Sequence, residues 1–451
     1  MEEITMKDLA NFAKTYGFIY QGSEIYGGLA NTWDYGILGA RLKNNLKDMW
    51  RKFFIQLRDN AYEIDASILM HPKVWEASGH IKNFSDPLLD CKECKMRVRA
   101  DKLIEEFDST VIADKMTDKE MEKFIKEKKI PCPNCNASNF TSIREFNLMF
   151  ETTRGVTKDS KSTIYLRPEN AQGEYVNFLN VLRTARTKLP FSIGQIGKAF
   201  RNEITPGNFT FRTIEFEQME YQTFCKKDTD EKQYEFFKDY GMKFMEYIGL
   251  DREKLRYKDH EKLAHYAKNA CDIEYLFPFG WGEINGTHNR TDFDLKNHQE
   301  LSKVSMEYLD EETGEKYIPY IIESTYGVDR IILALLFDAY NEEEDRIVLK
   351  LNEKLAPIKA SVLPLIKKYH AEKAEEIYNK FKEHFMTSIE DSGSIGKRYK
   401  RNDAIGIPYS ITIDDETLKN NKVTIRFRDT AEQQIMDIDE AIKYIEEKTR
   451  I

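Results

Sequence analysis

The sequence predicts an α+β fold, in which an antiparallel sheet flanked by helices carries a cysteine-rich insertion and is followed by a C-terminal α/β domain. Three observations support this prediction: a strand–loop–strand pattern between Phe191 and Phe224, two Cys-x2-Cys pairs, and alternating strand and helix patterns after about Leu355. The 451 residues, of which 41% are hydrophobic, are enough for two or three domains with buried cores.

The composition excludes several classes of protein. No run approaches the ~20 apolar residues of a membrane span, and the start MEEITMKDLA lacks the basic and apolar segments of a signal peptide. We therefore expect a soluble, cytoplasmic protein with no membrane partner. The net charge of −9 argues against a generalised nucleic-acid coat, so that any RNA contact requires a local basic patch.

Residues 1–85 are predicted to form the N-terminal part of the domain that contains the antiparallel sheet. Apolar residues at helical spacing between Leu38 and Leu57 predict an amphipathic helix over 38–58. A strand is expected to follow from about Tyr62 to Leu69.

Residues 86–145 are predicted to form an insertion that holds structural Zn²⁺. Two Cys-x2-Cys knuckles at this separation are typical of a tetrahedral four-cysteine zinc ribbon, and four sulfurs leave no open position for catalysis. Four free buried thiols or a redox dithiol are the alternatives, but the turn residues of CPNC favour a knuckle. The Lys/Glu-rich stretch between the pairs is expected to be a solvated helix. The predicted ligands are Cys91, Cys94, Cys132 and Cys135.

Residues 146–345 are predicted to complete the domain that contains the antiparallel sheet. The strands on either side of the Pro206–Gly207 loop should pair antiparallel, because this loop is too short for a crossover helix. A helical insertion is expected at about 226–270. A third strand is expected at 317–325, followed by a buried apolar helix.

Residues 355–451 are predicted to form a compact α/β domain. The segments KASVLPL, IPYSITI and KVTIRFR predict strands, and helices are expected from Ala371 and from Ile438. A dense basic cluster in this domain is the local patch that RNA binding requires, and a solubilising loop is the alternative interpretation. The cluster consists of Lys397, Arg398, Lys400 and Arg401.

Charged side chains are predicted to gather on one face of the antiparallel sheet, because alternate residues of a strand share a face. Guanidinium groups clamp phosphates and carboxylates hold an ammonium, so such a face suits a nucleotide and a small cation. Spacing alone favours an ordinary salt-bridged sheet face. The face is expected to carry Arg201, Glu203, Arg212, Ile214, Phe216, Gln218, Glu220, Glu323 and Thr325, with Arg330 on the following helix.

Three motifs favour the functional interpretation. FRNE at 200–203, followed by FRTIEFEQME at 211–220, resembles motif 2 of the class II aminoacyl-tRNA synthetases. GVDR at 327–330 resembles motif 3, and the helix at 38–58 with its following strand resembles the motif 1 dimer interface. The chain lacks a Walker GxxxxGK[ST] loop and the HIGH and KMSKS motifs of class I synthetases, so that ATP binding requires another scaffold.

Within that class the chain is similar over nearly its whole length to the homodimeric glycyl-tRNA synthetase family. The similarity implies activation of glycine by ATP and Mg²⁺ to glycyl adenylate, transfer to the 3' end of tRNA(Gly), a homodimer, and an anticodon-binding C-terminal domain. The segments that carry it are YGGLANTWDYGILG at 26–39, YLRPENAQG at 165–173, GWGEINGTHNRTDFDL at 280–295 and IGKRYKRNDAIGIPYSITID at 395–414.

The similarity also implies an ATP site. Arg201 would bind the α-phosphate, Glu203 the adenine amino group, and Phe216 would stack on adenine. Arg212 and Arg330 would hold the outer phosphates, with Arg201 and Arg330 as the catalytic residues. The implied set is Arg201, Asn202, Glu203, Phe211, Arg212, Phe216, Glu283, Ile284, Gly327, Asp329 and Arg330.

A magnesium contact and a glycine pocket complete the implied site. Glu283 would contact ATP or Mg²⁺. Arg99 and Arg290 would be partners of the glycine carboxylate or of the transition state. The implied glycine-binding set is Arg99, Glu169, Gln218, Glu220, Arg290, Glu323 and Thr325.

Several positions depart from the usual family pattern: Ile37, Asn170, Thr287-His288 and Thr325. Thr325 keeps a hydroxyl where family members often have serine, but its methyl group narrows the implied pocket. Another class II synthetase with the same C-terminal domain is the nearest alternative. A catalytically inactive paralogue that acts as an RNA-binding or accessory subunit is a second one, and an intact set of motif residues argues against it.

Overall fold

The computed structural model describes residues 4–108, 110–113, 116–155, 163–203, 207–261, 263 and 267–451. The helices are α1 (Met6–Thr15), α2 (Gly39–Trp50), α3 (Pro72–Ala77), α4 (His80–Asn83), α5 (Ala100–Phe107), α6 (Asp118–Glu127), α7 (Ala171–Val176), α8 (Phe178–Ala185), α9 (Asp230–Ile248), α10 (Phe293–Ser302), α11 (Val328–Ala339), α12 (Lys367–Phe381), α13 (Ile395–Ala404), α14 (Asp415–Asn420) and α15 (Ile438–Thr449).

The strands number from β1 to β23 in chain order. They are β1 (Ile19–Gln21), β2 (Trp33–Tyr35), β3 (Ala61–Glu63), β4 (Ser85–Asp90), β5 (Arg97–Arg99), β6 (Arg144–Asn147), β7 (Glu151–Thr153), β8 (Thr163–Tyr165), β9 (Phe191–Phe200), β10 (Glu215–Cys225), β11 (Leu255–Asp259), β12 (Asn269–Phe277), β13 (Gly280–Thr291), β14 (Tyr308–Leu309), β15 (Lys316–Tyr317), β16 (Tyr320–Gly327), β17 (Tyr340–Glu342), β18 (Ile347–Leu349), β19 (Ala360–Pro364), β20 (Thr387–Ile389), β21 (Tyr409–Ile413), β22 (Lys422–Phe427) and β23 (Gln433–Asp437).

A seven-stranded sheet with the order β11-β12-β13-β16-β10-β9-β3 organises the larger part of the molecule. Its neighbouring strands are antiparallel, except that β3 is parallel to β9. The predicted antiparallel pairing of β9 with β10 is confirmed, with Phe200 opposite Glu215 and Phe191 opposite Phe224. Pro206 of the predicted loop lies outside the described residues.

One face of this sheet packs against helices α2, α9 and α11. The other face is polar around Gln218 and Glu220 and apolar farther along, where Phe191 and Phe224 pack against α7 and α8. Along β10, Met219 and Tyr221 belong to the main apolar core, whereas Gln218 and Glu220 point to the opposite face. Helix α11 is apolar on nearly all sides, as expected for a helix buried within a large core. No helix among the described residues has the length and apolar content of a membrane span.

Two secondary-structure predictions in this domain are wrong in part. The strand predicted from Tyr62 to Leu69 ends at Glu63, because the chain then leaves the sheet and the Ala66 N–H donates to the Gln195 side chain. Among the described residues of the helical insertion predicted at 226–270, α9 is the one α-helix, and β11 and β12 then extend the central sheet.

The third predicted strand is also divided. Residues 316–317 form the short β15 and the sheet strand β16 begins only at Tyr320, because the intervening Pro319 has no N–H to donate to a ladder.

The cysteine-rich insertion has a small structure of its own. Its three-stranded sheet has the order β5-β4-β6, and helices α5 and α6 cover an apolar cluster that includes Leu89, Ile104, Met121 and Ile125. Helix α6 begins with a capping box in which Thr117 and Glu120 satisfy each other's backbone N–H groups. The expected helical stretch between the cysteine pairs is therefore confirmed.

The C-terminal region contains a five-stranded sheet with the order β20-β19-β21-β22-β23. Strands β19, β21 and β22 and the final helix α15 match the predictions, while α12 begins before the expected Ala371, at Lys367. The basic cluster lies on helix α13 and not on a loop.

Candidate nucleotide and amino-acid site

A cavity of about 220 Å³ opens on the polar face of the central sheet. Every residue of the implied ATP-binding set except Asn202 lines this cavity. Every residue of the implied glycine-binding set except Arg99 lines it as well. The predicted residues that line it are Glu169, Arg201, Glu203, Phe211, Arg212, Phe216, Gln218, Glu220, Glu283, Ile284, Arg290, Glu323, Thr325, Gly327, Asp329 and Arg330.

Arg201 is held in the cavity wall by backbone and ring contacts. Its Nε donates to the carbonyl oxygen of Pro168 over 3.1 Å. Its guanidinium carbon lies 5.3 Å from the ring centroids of both Phe84 and Phe216. Contact with two rings restricts the guanidinium plane, so that its remaining N–H groups are oriented for an anion. Sequence reasoning missed Phe84, which reaches the site only through the fold.

Arg330 forms the opposite end of the nucleotide side. Its Nε donates to the Phe211 carbonyl over 3.1 Å, and its guanidinium carbon lies 4.4 Å from the Phe211 ring centroid. Nη1 donates to the backbone oxygen of Glu283 over 2.9 Å and to its carboxylate over 3.2 Å. Cation and carboxylate therefore meet at the half-exposed mouth of the cavity.

Asp329 lines the cavity, but its carboxylate already has three donors. Tyr35 Oη donates to it over 2.6 Å, Lys43 Nζ over 3.1 Å, and the Glu217 N–H over 2.8 Å. These contacts tie α11 to α2 and β10. Asp329 therefore helps to position Arg330, and its Oδ2, which has the Glu217 N–H as its one donor here, can still accept from a ligand.

The other end of the cavity is acidic. Glu323 accepts from Arg290 Nη1 over 3.1 and 3.2 Å, from His288 Nδ1 over 2.7 Å, and from Gln222 Nε2 over 3.3 Å. Arg290 is shared with Asp294, to which it donates over 2.8 and 3.1 Å. A buried guanidinium between two carboxylates leaves net negative charge around the pocket.

Glu169 completes this acidic end. It accepts from Gln172 Nε2 over 3.0 Å, and its other oxygen lies 3.4 Å from His80 Nε2. Burial opposes ionisation of both Glu169 and Glu323. Nevertheless, His80 and Arg290 hold the pKa of Glu169 well below its usual range, and Arg290 and His288 lower the pKa of Glu323 to about 2. Both carboxylates are therefore ionised at neutral pH.

Two further carboxyl groups have a raised pKa and therefore tend to keep their proton. Burial, followed by repulsion from Glu323 and Glu169, raises the pKa of Glu220 well above its usual range. Burial, followed by repulsion from Glu220 and Glu323, also raises the pKa of Glu174 well above its usual range. Glu174 is fully buried on α7, and neither of its carboxyl oxygens has a hydrogen-bond partner among the described residues. Sequence reasoning missed this residue.

Two predicted ligands lie elsewhere. Arg99 does not line the cavity, because Asp86 and Asp101 at the edge of the insertion hold its guanidinium at 2.9 and 2.6 Å. Asn202 is also absent from the cavity lining, and its backbone N–H donates to the Leu148 carbonyl over 2.8 Å. Neither residue lines the cavity in this structure, so that their contact with ligands stays a prediction.

The four predicted zinc ligands converge. Sγ of Cys91 lies 3.6 Å from Sγ of Cys135, and Sγ of Cys94 lies 3.6 Å from Sγ of Cys132. All four sulfurs lie within 4.8 Å of one another. A tetrahedron with Zn–S bonds of about 2.3 Å has S–S edges of about 3.8 Å, so that the thiol set fits a zinc ion.

The four side chains of the basic cluster lie on different sides of helix α13. Arg398 is buried, and its Nη1 donates to the carbonyl oxygens of Pro364 and Glu390 over 2.8 and 3.1 Å. The prediction that it binds RNA is therefore wrong, because the guanidinium anchors neighbouring backbone. Lys400 pairs with Asp345 at 2.9 Å and Arg401 pairs with Glu390, whereas Lys397 is exposed.

Comparisons with known proteins agree with this architecture. A family model described as tRNA synthetase class II core domain (G, H, P, S and T) matches residues 150–339, and an anticodon binding domain model matches 359–448. The chain is 54% identical to a glycine–tRNA ligase of Clostridium acetobutylicum, with 100% of each chain covered. It is also 54% identical to that of Caldanaerobacter subterraneus, with 99% of each chain covered.

The fold is similar to a solved structure as well. The structure titled as the RNA binding domain of threonyl-tRNA synthetase from Cryptosporidium parvum matches with a TM-score of 0.67 at 16% identity, over 98% of both chains. At this identity the likeness concerns the fold alone.

Proposed function

The chain belongs to the glycine–tRNA ligase family of class II aminoacyl-tRNA synthetases, and from this premise we propose how its cavity activates glycine and charges tRNA(Gly). The observation that carries the proposal is one cavity with an arginine-rich end for a nucleotide and an acidic end for a small ammonium. An inactive paralogue would not need this complete set of side chains.

In the first step, a carboxylate oxygen of glycine forms a bond to the α-phosphorus of ATP. The bond from that phosphorus to the bridging oxygen of the β-phosphate breaks, and pyrophosphate leaves with the electron pair. We assign Arg201 to the α-phosphate, where negative charge develops in the transition state, and Arg330 and Arg212 to the outer phosphates. Their work is positioning and charge neutralisation.

We assign adenine to the space between Phe216 and Arg330, with Glu203 as acceptor for its exocyclic amine. One oxygen of Glu203 is buried without a hydrogen-bond partner among the described residues, and Arg212 lies 3.9 Å away. An unpaired buried acceptor gains most from a ligand N–H, which supports this assignment.

We assign the glycine ammonium to Glu169, Glu220 and Glu323, with Thr325 as part of the wall. In the second step, a hydroxyl of the 3'-terminal ribose attacks the carbonyl carbon of the glycyl adenylate. AMP leaves, the hydroxyl proton is lost to solvent, and glycyl-tRNA is formed.

Metal ions would serve two different purposes. We propose that Glu283, whose carboxylate is half exposed at the cavity mouth, contacts Mg²⁺ that accompanies ATP and neutralises phosphate charge. We also propose that Cys91, Cys94, Cys132 and Cys135 hold Zn²⁺, which would stabilise the insertion without taking part in chemistry.

The C-terminal domain is the proposed anticodon-binding module. Lys397 is exposed, and Lys400 and Arg401 remain at the surface in ion pairs, so that these three residues, without Arg398, form the proposed RNA contact. Exchange of a surface ion pair for a phosphate contact costs little, because such pairs contribute about 0–1 kcal/mol.

We also propose a homodimer. Four large apolar side chains in the segment before α2 are strongly exposed: Ile25, Tyr26, Leu29 and Ile37, at 88, 87, 56 and 74%. Several large apolar side chains exposed in one segment are typical of a protein–protein contact. A second copy of the chain would cover it, and Ile37→Asp should shift the mass measured by light scattering from dimer to monomer.

The decisive experiment is ATP–pyrophosphate exchange with each of the twenty amino acids. We expect exchange with glycine alone, and charging of tRNA(Gly) when tRNA is added. Exchange with another amino acid, or none with any, would refute the proposed activity.

A further inference from the structure

A second group of metal-ligating side chains lies beside the glycine end of the cavity. The ligand atoms of His260, Asp272 and His288 lie within 4.8 Å of one another. Nε2 of His260 is 2.8 Å from a carboxylate oxygen of Asp272, and the two imidazole centroids are 5.8 Å apart. Among the described residues, this trio and the four cysteines are the two groups that could hold a metal ion.

The sheet register explains why these side chains meet. Asp272 on β12 pairs with Gly286 on β13, and His288 follows two residues later on the same face. His260 lies just beyond β11, where its backbone N–H donates to the Ala270 carbonyl over 3.0 Å. Strands β12 and β13 and the residue that follows β11 therefore deliver one ligand each.

Gly286 leaves the space that an ion requires. A side chain at this position would bring its Cβ to 3.1 Å from His288 Cε1, to 3.4 Å from Asp272 Oδ1 and to 3.5 Å from His288 Nε2. These two donor atoms thus face the volume above the glycine. Gly286 and His288 both line the main cavity, so that this volume opens towards the reactants.

We propose that His260, Asp272 and His288 form a binding site for a divalent transition metal of the zinc class. Two imidazoles and one carboxylate suit such an ion, whereas Mg²⁺ and Ca²⁺ prefer oxygen ligands alone. Metal–ligand bonds of about 2.0–2.1 Å require ligand atoms about 3.3 Å apart. Small side-chain rotations reach this separation, and the His260–Asp272 hydrogen bond opens as the ion enters.

Glu323 provides the outer support for this site. A carboxylate only accepts hydrogen bonds, so that Nδ1 of His288 carries the proton donated to Glu323 over 2.7 Å, and Nε2 is free to bind metal. This is the usual arrangement in which a carboxylate orients a metal-binding histidine. The bound ion would therefore fix the position of a proposed glycine ligand, a consequence that rests on the proposed function.

Three protein ligands leave an open coordination position. Since the volume above Gly286 faces the cavity, a water molecule would occupy this position at the boundary of the glycine pocket.

The test is the metal content of the full-length protein. The protein is stripped with a chelator, reloaded with Zn²⁺, passed through gel filtration and analysed by mass spectrometry for metal. We expect His260→Ala and Asp272→Asn each to contain one zinc fewer per chain than the wild type. His384→Ala, which removes an imidazole in the C-terminal domain, is the matched control and should lose none.

Further variants separate this site from the cysteine site. Cys132→Ser should remove a different zinc, so that the double variant with His260→Ala loses both. Glu323→Gln should weaken the His260 site by about 10- to 100-fold, as loss of an outer-shell partner typically does. Co²⁺ loading should give thiolate charge-transfer absorption that depends on Cys132 and not on His260.

Unchanged zinc content in folded His260→Ala and Asp272→Asn would overturn the proposal and leave the trio as an ordinary His–Asp ion pair. Zinc content does not depend on amino-acid activation. Failure of glycine-dependent exchange would therefore refute the proposed function without removing the metal site.

Discussion

Replacement of Glu323 by glutamine tests the proposed glycine pocket most directly. The change keeps the shape of the side chain but removes an anion that accepts from His288 and Arg290. A hydrogen bond to a charged group contributes about 1.5–3 kcal/mol, and each 1.4 kcal/mol is about a factor of ten. We therefore expect the KM for glycine to rise roughly 10- to 150-fold, with the KM for ATP nearly unchanged.

The assay is pyrophosphate exchange at saturating ATP with varied glycine, together with thermal unfolding to verify the fold. Arg290 keeps Asp294 as a partner, so that Glu323→Gln should remain folded. Glu174→Gln is the matched control. It is also a buried carboxyl in this cluster, but its raised pKa keeps it protonated, so that glutamine changes little charge. An unaltered glycine KM in folded Glu323→Gln would refute the placement of the ammonium.

Four further predictions address other parts of the molecule. Arg201→Ala should lower exchange by about 10²- to 10³-fold, by analogy with loss of one transition-state donor, while circular dichroism remains unchanged; normal exchange would contradict its role. Cys132→Ser should remove one zinc per chain and lower the melting temperature of the insertion, whereas equal zinc content would count against the ribbon. A chain that ends at Ile358 should activate glycine but charge tRNA poorly, and equal loss of both activities would contradict separate domains. Because the raised pKa of Glu174 makes the folded state retain a proton, the contribution of this one group to stability should fall above about pH 4.3, by at most about 1.4 kcal/mol per pH unit. Urea unfolding from pH 5 to 8 should therefore show a smaller loss of stability for Glu174→Gln than for the wild type.

The sequence predicted much of the cavity, because the residues concerned belong to contiguous motifs. Phe216, Gln218 and Glu220 are alternate residues of β10, so that the alternation of side chains along a strand already predicts that they share one face. Their neighbours were not predictable in this way. Phe84 and His80 lie outside all of these motifs, and only the fold brings them to the cavity.

The wrong prediction for Arg398 has a different cause. A dense run of basic residues suggests a solvated patch, but helical periodicity separates its members. Arg398 and Asn402, four residues apart, lie on the buried side of α13, while Lys397 and Lys400 lie outside. The period of the helix, if applied to this run, would have identified the inward arginine. For Arg99 the sequence does not indicate which groups the guanidinium contacts. Its partners Asp86 and Asp101 lie close to it in the sequence, as the partners of an ordinary surface ion pair often do.

If glycine binds in the proposed pocket, its selection would follow from the rigidity and the charge of that pocket together. Thr325 pairs with Glu220 on one neighbouring strand and with Gly286 on the other. The pocket wall at Thr325 is therefore part of the interior of a hydrogen-bonded sheet, whose backbone is rigid. A substituent on the α-carbon meets a wall that cannot retreat, and steric exclusion of a larger ligand discriminates better than the about 1–3 kcal/mol available against a smaller one. The smallest amino acid still gains a strong contact, because Glu169 and Glu323 are ionised before it arrives. Glu220 holds a proton only through burial and the repulsion of these neighbours. In the proposed pocket an ammonium among the carboxylates would offset that repulsion and lower the pKa of Glu220, so that we expect glycine binding to be linked to proton release from Glu220.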